Sequence, residues 1–215
     1  MNNQDTLELP FGLPVTNSER EQNLIHALEQ CPQGQKRAEV LWKLSLFCHY
    51  QAYRSDLAGS LVDLMTKERD SDERIAAFHL ATGQNAQAQQ KWSLALEHYA
   101  LGLSRSPKNS GARYLLYNNG AHCRNMLGFY AEAEQSARLA IATESKRHEA
   151  YINLGISLEH QRDMTGAAWC FMEALKVNAF NLQAAERLRQ LLIDYPTLPM
   201  QSPWIQLDLE LLERG

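Results

Sequence analysis

The sequence predicts an all-α protein, an array of antiparallel helix pairs laid side by side, and three observations carry that prediction. The first is the stretch 151–179, YINLGISLEHQRDMTGAAWCFMEALKVNA. At helical spacing Tyr151, Leu154, Gly155 and Leu158 share one face, and Ala167, Phe171 and Ala174 share another, with Leu175 beside them. Small residues alternate with a large ring in a set order. Gly155 and Ala167 allow two backbones to approach, and Phe171 fills the space beside them. The second observation is recurrence. Tyr117, Gly120, Ala121, Ala133, Ala137 and Ala140 repeat the unit. Tyr117 to Tyr151 and Ala133 to Ala167 are equal steps of ~34 residues, a length typical of helical repeats. An earlier copy runs through Gly83, Trp92, Ala95, Tyr99, Gly102 and Pro107, and the earliest through Trp42, Ala58, Val62 and Met65. The step from Ala95 to Ala133 is longer by about one helical turn, and the added turn is expected between Pro107 and Tyr117. The third observation is where proline falls. Pro32 and Pro107 sit at junctions and the rest in the two tails. A proline inside a helix costs ~3 kcal/mol, so this placement fits the helical parse.

In chain order, residues 1–16 hold Pro10, Gly12 and Pro14 without helical periodicity and read as an extended arm, with Leu7, Leu9, Phe11 and Leu13 available for docking. An entry helix follows within 17–34. Ser18 and Glu21 form a capping box, Leu24, Ile25 and Leu28 its stripe, and Cys31-Pro32-Gln33-Gly34 its stop. Helix pairs then fill 35–180. One helix spans about Lys36 to Gln51, and its partner, opened by Ser55 or Asp56, carries Leu57, Leu61, Leu64 and Met65. Asp70 with Glu73 makes a capping box for a helix from about Ser71 to Ala86. Trp92, Leu96 and Tyr99 mark the next, and Asp163 or Thr165 caps the helix bearing Phe171. Asn181 begins a helix over 181–194 with Leu182, Ala185, Leu188, Leu191 and Leu192 apolar and a polar back, the form expected of a terminal cap. Residues 195–215 are read as a Pro-rich linker, including Leu198 to Ser202, and a short helix whose packing face is Trp204, Leu207, Leu211 and Leu212.

The order of aromatic, Leu-Gly, Ala, Phe and Ala resembles the tetratricopeptide repeat (TPR), a helix–turn–helix unit of ~34 residues. Tyr151, Leu154-Gly155, Ala167, Phe171 and Ala174 match. Leu158 stands where the family usually has Tyr, and Ala179 where it usually has Pro. The resemblance implies a right-handed superhelix whose first helices line a concave groove. It further implies that groove residues lie one and two positions beyond the first-helix aromatic and again a turn later. Carried over, these are Lys43, Phe47 and Tyr50; Gln84 and Gln87; Asn118, Asn119, His122 and Asn125; Asn153, Ile156 and His160; and Arg187. Asn119, Asn153 and Arg187 follow one another at single-repeat steps and are expected in a line along the groove. Asn amides suit the N–H and C=O groups of an extended peptide, and Arg187 a carboxylate. On this reading Asn119 and Asn153 can both be replaced without loss of stability. The pattern partly resembles the carboxylate clamp of repeat proteins that hold chaperone tails. Asn153 and Arg187 match it, but Asn118, His122 and Gln183 stand where Lys, Asn and Lys are usual, so a clamp is not expected.

Composition narrows the function. The 215 residues are 45% hydrophobic and 21% charged, which is globular. A net charge of −4 argues against binding nucleic acid or anionic membrane through bulk positive charge. No apolar run reaches the ~18 residues of a membrane span. The start MNNQDTLELPFG lacks the basic and apolar regions of a signal peptide, and Cys31, Cys48, Cys123 and Cys170 are scattered, so a reduced, cytoplasmic setting is expected. Cys48-His49 and His122-Cys123 do not read as metal pairs, because adjacent helical residues point about 100° apart. Each is read as a buried thiol beside a groove or surface histidine. Trp42, Trp92 and Trp169 are read as core. No phosphate loop, dinucleotide fingerprint or nucleophile elbow occurs. No enzyme, cofactor or metal is expected. The expected function is a protein-interaction module, an adaptor or chaperone taking an extended or tail segment of another protein in its groove. The alternative is a self-assembling scaffold, a homo-oligomer joined through the Leu-rich tail.

Overall fold

The structure, a computed structural model, describes residues 19–31, 35–50, 64–65, 71–202 and 204–205. The expected N-terminal arm, the Ser18 cap, Asp70, most of the helix expected from Ser55, and the tail beyond Ile205 lie outside the described residues. The described residues form helices and no strand.

Helix α1 is Glu19–Gln30 and α2 is Gln35–Tyr50. Arg37 closes their junction by donating to the carbonyls of Leu28 (2.8 Å), which also accepts from the Cys31 N–H, and Cys31 (3.2 Å) at the end of α1. Ile25, Leu28, Leu41 and Leu44 pack with Met65, Ile75 and Phe78, which ties α1 and α2 to helix α3, Asp72–Ala88. Here the cap differs from expectation. Ser71, whose side chain accepts from Arg74 N, is the N-cap, and Asp72 and Glu73 occupy the first turn, where acidic groups complement the helix dipole.

Helices α4 (Trp92–Ser104), α5 (Ser110–Leu127), α6 (Tyr130–Thr143), α7 (His148–His160), α8 (Met164–Val177) and α9 (Leu182–Asp194) follow as hairpins. Asn109, Asp163 and Asn181 cap α5, α8 and α9, each accepting a backbone N–H from the first turn of its helix. Relative to the repeat aromatic, α5 starts about one helical turn earlier before Tyr117 than α7 does before Tyr151, so the insertion is an added turn at the start of α5. Within each hairpin the chain reverses through one residue with positive φ, at Gln90, Gly128 and Arg162 in turn. The first helices of successive pairs touch, α3 with α5 and α5 with α7, whereas the second helices barely meet. The array therefore curves toward its first helices.

The repeat series sits where the hairpins are closest. Ala95, Ala133 and Ala167 are all 0% exposed. A Cβ on Gly155 would lie 2.6 Å from the Phe171 ring, and one on Gly83 would run into the Tyr99 ring. Gly83 with Tyr99 and Gly155 with Phe171 hold the same two repeat positions, which in the middle hairpin are Ala121 and Ala137. The array thus fills one gap in two ways, glycine with a ring or alanine with alanine. Gly155→Ala should cost about 1–2 kcal/mol in urea unfolding, because forcing the buried ring aside outweighs the helix propensity gained.

Between α3 and α4, the Nδ1 atoms of His79 and His98 lie 3.2 Å apart, so one carries the proton and the other accepts it. His79 is buried. That burial, with His98 and Arg105 nearby, pushes it down to about 4, and burial also lowers His98. The unfolded chain takes up a proton near pH 6.5 and the folded chain only near 4, so stability is full above 6.5 and is lost as pH falls toward 4. Thermal melts should show a loss of roughly 2 kcal/mol between pH 7 and pH 5. His79→Leu should flatten that slope.

The end of the chain also differs from expectation. Residues expected as linker form a short helix α10, Leu198–Gln201, and Leu198 is buried. Ile205 is 0% exposed and belongs with Leu198 to the cluster built on α7, α8 and α9, whereas Trp204 lies on the surface. The tail starts by packing on its own array through Ile205, and Trp204, 36% exposed, borders a cavity with Leu158 and Trp169. Leu207, Leu209, Leu211 and Leu212 lie outside the described residues. Trp42 and Trp92 pack partly buried against core clusters, but Trp169, expected in the core, is 40% exposed.

Candidate functional site

The first helices bring ten side chains around one open cavity of about 220 Å³: Gln87 from α3; Asn118, Asn119 and His122 from α5; His148, Glu149, Ile152 and Asn153 from α7; and Asn181 and Gln183 at the start of α9. Five of the residues expected in the groove, Gln87, Asn118, Asn119, His122 and Asn153, meet here. The arrangement follows from the repeat, since one position on successive first helices recurs on one side of the array.

Most of these amides already have partners. Asn153 Nδ2 donates to Asn118 Oδ1 (2.9 Å) and to the Asn118 carbonyl (3.3 Å). Asn118 Nδ2 donates to Asn119 Oδ1 (3.2 Å). Behind them, Asn125 Nδ2 donates to the Asn153 carbonyl (2.9 Å) and Asn125 Oδ1 accepts from Ser157 (2.9 Å). Asn118, Asn125 and Asn153 are all buried. They form a polar seam joining α5 to α7, satisfied within the protein. Gln87 Oε1 accepts from the Tyr99 hydroxyl (2.8 Å), an inward contact that also fixes its direction. Asn119 stays half-buried and Gln183 is exposed, so these two amides face the opening.

The cavity carries little charge. Burial lowers the His122 pKa, a hydrogen bond with Asn153 pulls it the other way, and the net shift keeps the ring neutral at pH 7. Its edge meets Trp92, with ring centroids 5.6 Å apart. Partial burial raises Glu149, but a backbone N–H at the helix start, Arg147 and His148 outweigh it and hold the carboxyl below the usual range. Glu149 also accepts from Tyr114 (3.1 Å). No lysine or arginine is among the lining residues.

The other expected groove residues lie elsewhere. Lys43 is exposed and pairs with Glu39 one turn before it, at 2.9 Å. The side chains of Phe47, Tyr50, Cys48 and His49 are outside those described. Gln84 is exposed beyond the cavity lining, and Ile156 packs against the core. His160 stacks on Tyr130 (4.2 Å between centroids) and borders a separate cavity with Glu159, Arg162 and Tyr195. Arg187 is tied to Glu159 at 3.0 Å. The line expected from Asn119 through Asn153 to Arg187 is therefore not a row of free groups. Asn153 is held in the seam and Arg187 in an ion pair. Sequence reasoning missed His148, Glu149, Ile152, Asn181 and Gln183 as lining residues. A signal existed, since Glu149 and Gln183 stand one repeat period apart, as do Asn118 and Ile152. The first turn of each first helix faces the cavity as well as the turn after the aromatic.

Neither Cys123, which touches Gln87, nor Cys170, in the core away from this cavity, is an available nucleophile. Cys123 and Cys170 are buried and pushed up by that burial to about 11 and about 12. Cys31 is free as well. Among the described residues, no group of three or more His, Cys, Asp or Glu could hold a metal ion, and no helix is long and apolar enough to cross a membrane.

By sequence, no family model and no curated protein matches the chain. By structure, it is similar to the TPR domain of OM64 from Arabidopsis, 23% identical, covering 56% of this chain and 96% of that one at a TM-score of 0.53. It is similar to the first TPR domain of Spaghetti (RPAP3) bound to an HSP90 peptide, 24% identical, covering 57% and 92% at 0.51. It also resembles Cns1, an Hsp90 co-chaperone from Saccharomyces cerevisiae, 18% identical, covering 66% of this chain and 46% of that one at 0.55. Helix hairpins at the repeat period, glycine against ring, and these neighbours agree: the chain has the tetratricopeptide-repeat fold.

Proposed function

We propose that the chain is a binding module, an adaptor or chaperone of the cytoplasm, that takes an extended segment of another protein across the cavity between α5, α7 and α9. The observation that carries this reading is the density of amides around one opening: Gln87, Asn118, Asn119, Asn153, Asn181 and Gln183. A primary amide donates and accepts at once, as an extended backbone requires. The buried seam behind them sets the first helices in place before a ligand arrives, which lowers the entropy lost on binding. The Spaghetti domain, described as bound to an HSP90 peptide, supports the class of ligand. Cys31, Cys123 and Cys170, unpaired among the described residues, fit a reducing compartment. The module acts by binding, without catalysis.

The test begins with peptides selected from a displayed library of short random sequences. Asn119→Ala with Gln183→Ala should weaken their binding about tenfold or more, a loss of ~1.4 kcal/mol. Melting should fall only slightly, since Gln183 is exposed and water reaches the half-buried place of the Asn119 oxygen to which Asn118 donates. Unchanged affinity in the double variant would move the site off this cavity.

A further inference from the structure

We infer that the cavity selects an internal, uncharged stretch of its partner that carries an apolar side chain, and rejects a chain-terminal carboxylate. The inference rests on the proposed groove and specifies its ligand. Its first ground is charge. The cavity is lined by six amides, two histidines, Ile152 and Glu149. The neighbouring cations are engaged. Arg187 is bound to Glu159, and Arg147 pairs with Glu144 (3.7 Å) and Glu149 (3.3 Å) and lies 4.0 Å over the Tyr114 ring. A carboxylate entering here would shed water, meet no lysine or arginine in the lining and face Glu149, with His148 already turned to that carboxylate, a combination that disfavours it. A neutral backbone meets donors and acceptors in its own pattern.

The second ground is the rim at the start of α9. Leu182 stands between two lining residues, Asn181 and Gln183, and is 84% exposed. Phe180, just before the cap, is 91% exposed. Phe180 and Leu182 flank the lining residue Asn181 in the chain without themselves lining the cavity, so an apolar side chain of a ligand that continues past Asn181 meets two large exposed apolar groups.

The experiment presents two random peptide libraries to the full chain, one ending in a free carboxylate and one with both ends blocked by flanking scaffold. Binders should emerge from the blocked library with a shared Leu, Ile, Phe or Met. Their synthetic forms should bind within about twofold whether amidated or free at the C-terminus. Phe180→Asp with Leu182→Asp should weaken them about tenfold without shifting the melt. Binders from the free-carboxylate library alone, lost on amidation, would overturn this inference and leave the peptide-binding reading standing. Selected peptides indifferent to the Phe180 and Leu182 changes would overturn the apolar contact. A concentration-dependent dimer that competes with the selected peptides would place a second copy of the chain in the cavity and overturn the inference. Absence of binders from both libraries would overturn the groove reading and this inference with it.

Discussion

Phe171→Ala is expected to lower the unfolding free energy by about 3–5 kcal/mol, the largest effect of any single substitution considered. The ring is 0% exposed and lies against the backbone of α7 at Gly155. The hole cannot close easily, because α6 holds α7 on one side and α9 holds α8 on the other. A second substitution separates this account from general core damage. Gly155→Ala destabilises when Phe171 is present. In the Phe171→Ala background the added methyl enters empty space and gains up to about 1 kcal/mol of helix propensity, so it should stabilise. The middle hairpin already carries that combination in Ala121 and Ala137, both fully buried. If Gly155→Ala costs the same in both backgrounds by urea unfolding, the ring and the glycine are not filling one gap.

Asn153→Ala should cost about 2–3 kcal/mol. The change removes the donor that Asn118 Oδ1 and the Asn118 carbonyl share, and leaves a buried amide oxygen without its partner. A cycle with Asn118→Ala should give a coupling of about 1–2 kcal/mol. Asn119→Ala removes the acceptor of the buried Asn118 Nδ2 but leaves a half-buried site that water reaches, so it should cost about 1 kcal/mol, less than Asn153→Ala. An Asn153→Ala protein that melts like wild type would return Asn153 to the role that sequence reasoning gave it, a free groove ligand.

That contrast marks where the sequence stops being legible. Period and residue size revealed the hairpins, the buried alanines, the glycine–ring gap and the added turn at the start of α5, because each depends on backbone spacing. The resemblance to the tetratricopeptide repeat, not spacing alone, placed Asn118, Asn119 and Asn153 on the inner side of the array. It could not say how each amide is used. Asn119 and Asn153 are equivalent by period, yet Asn153 is buried and donates to Asn118 on the preceding first helix, whereas Asn119 is half-buried and accepts from Asn118 beside it. Arg187 is bound by Glu159, a pairing that no repeat step announces. Trp169 looked like core because it sits on an otherwise buried helix, but it lies on the flank of α8 that faces solvent. In the tail, helical spacing favoured Trp204 as a packing residue. Burial of Ile205 depends on where α10 turns the chain, a tertiary effect outside any local pattern.

Photo-crosslinking tests the central claim, that the amide-lined cavity is the ligand site, most directly. A benzophenone side chain is placed at Asn119, beside the opening, or at Leu139, an exposed position on α6 outside the cavity lining. With a library-selected peptide, irradiation should join peptide to protein from position 119 and leave the 139 variant unlinked. Crosslinks from 139 with none from 119 would contradict the account.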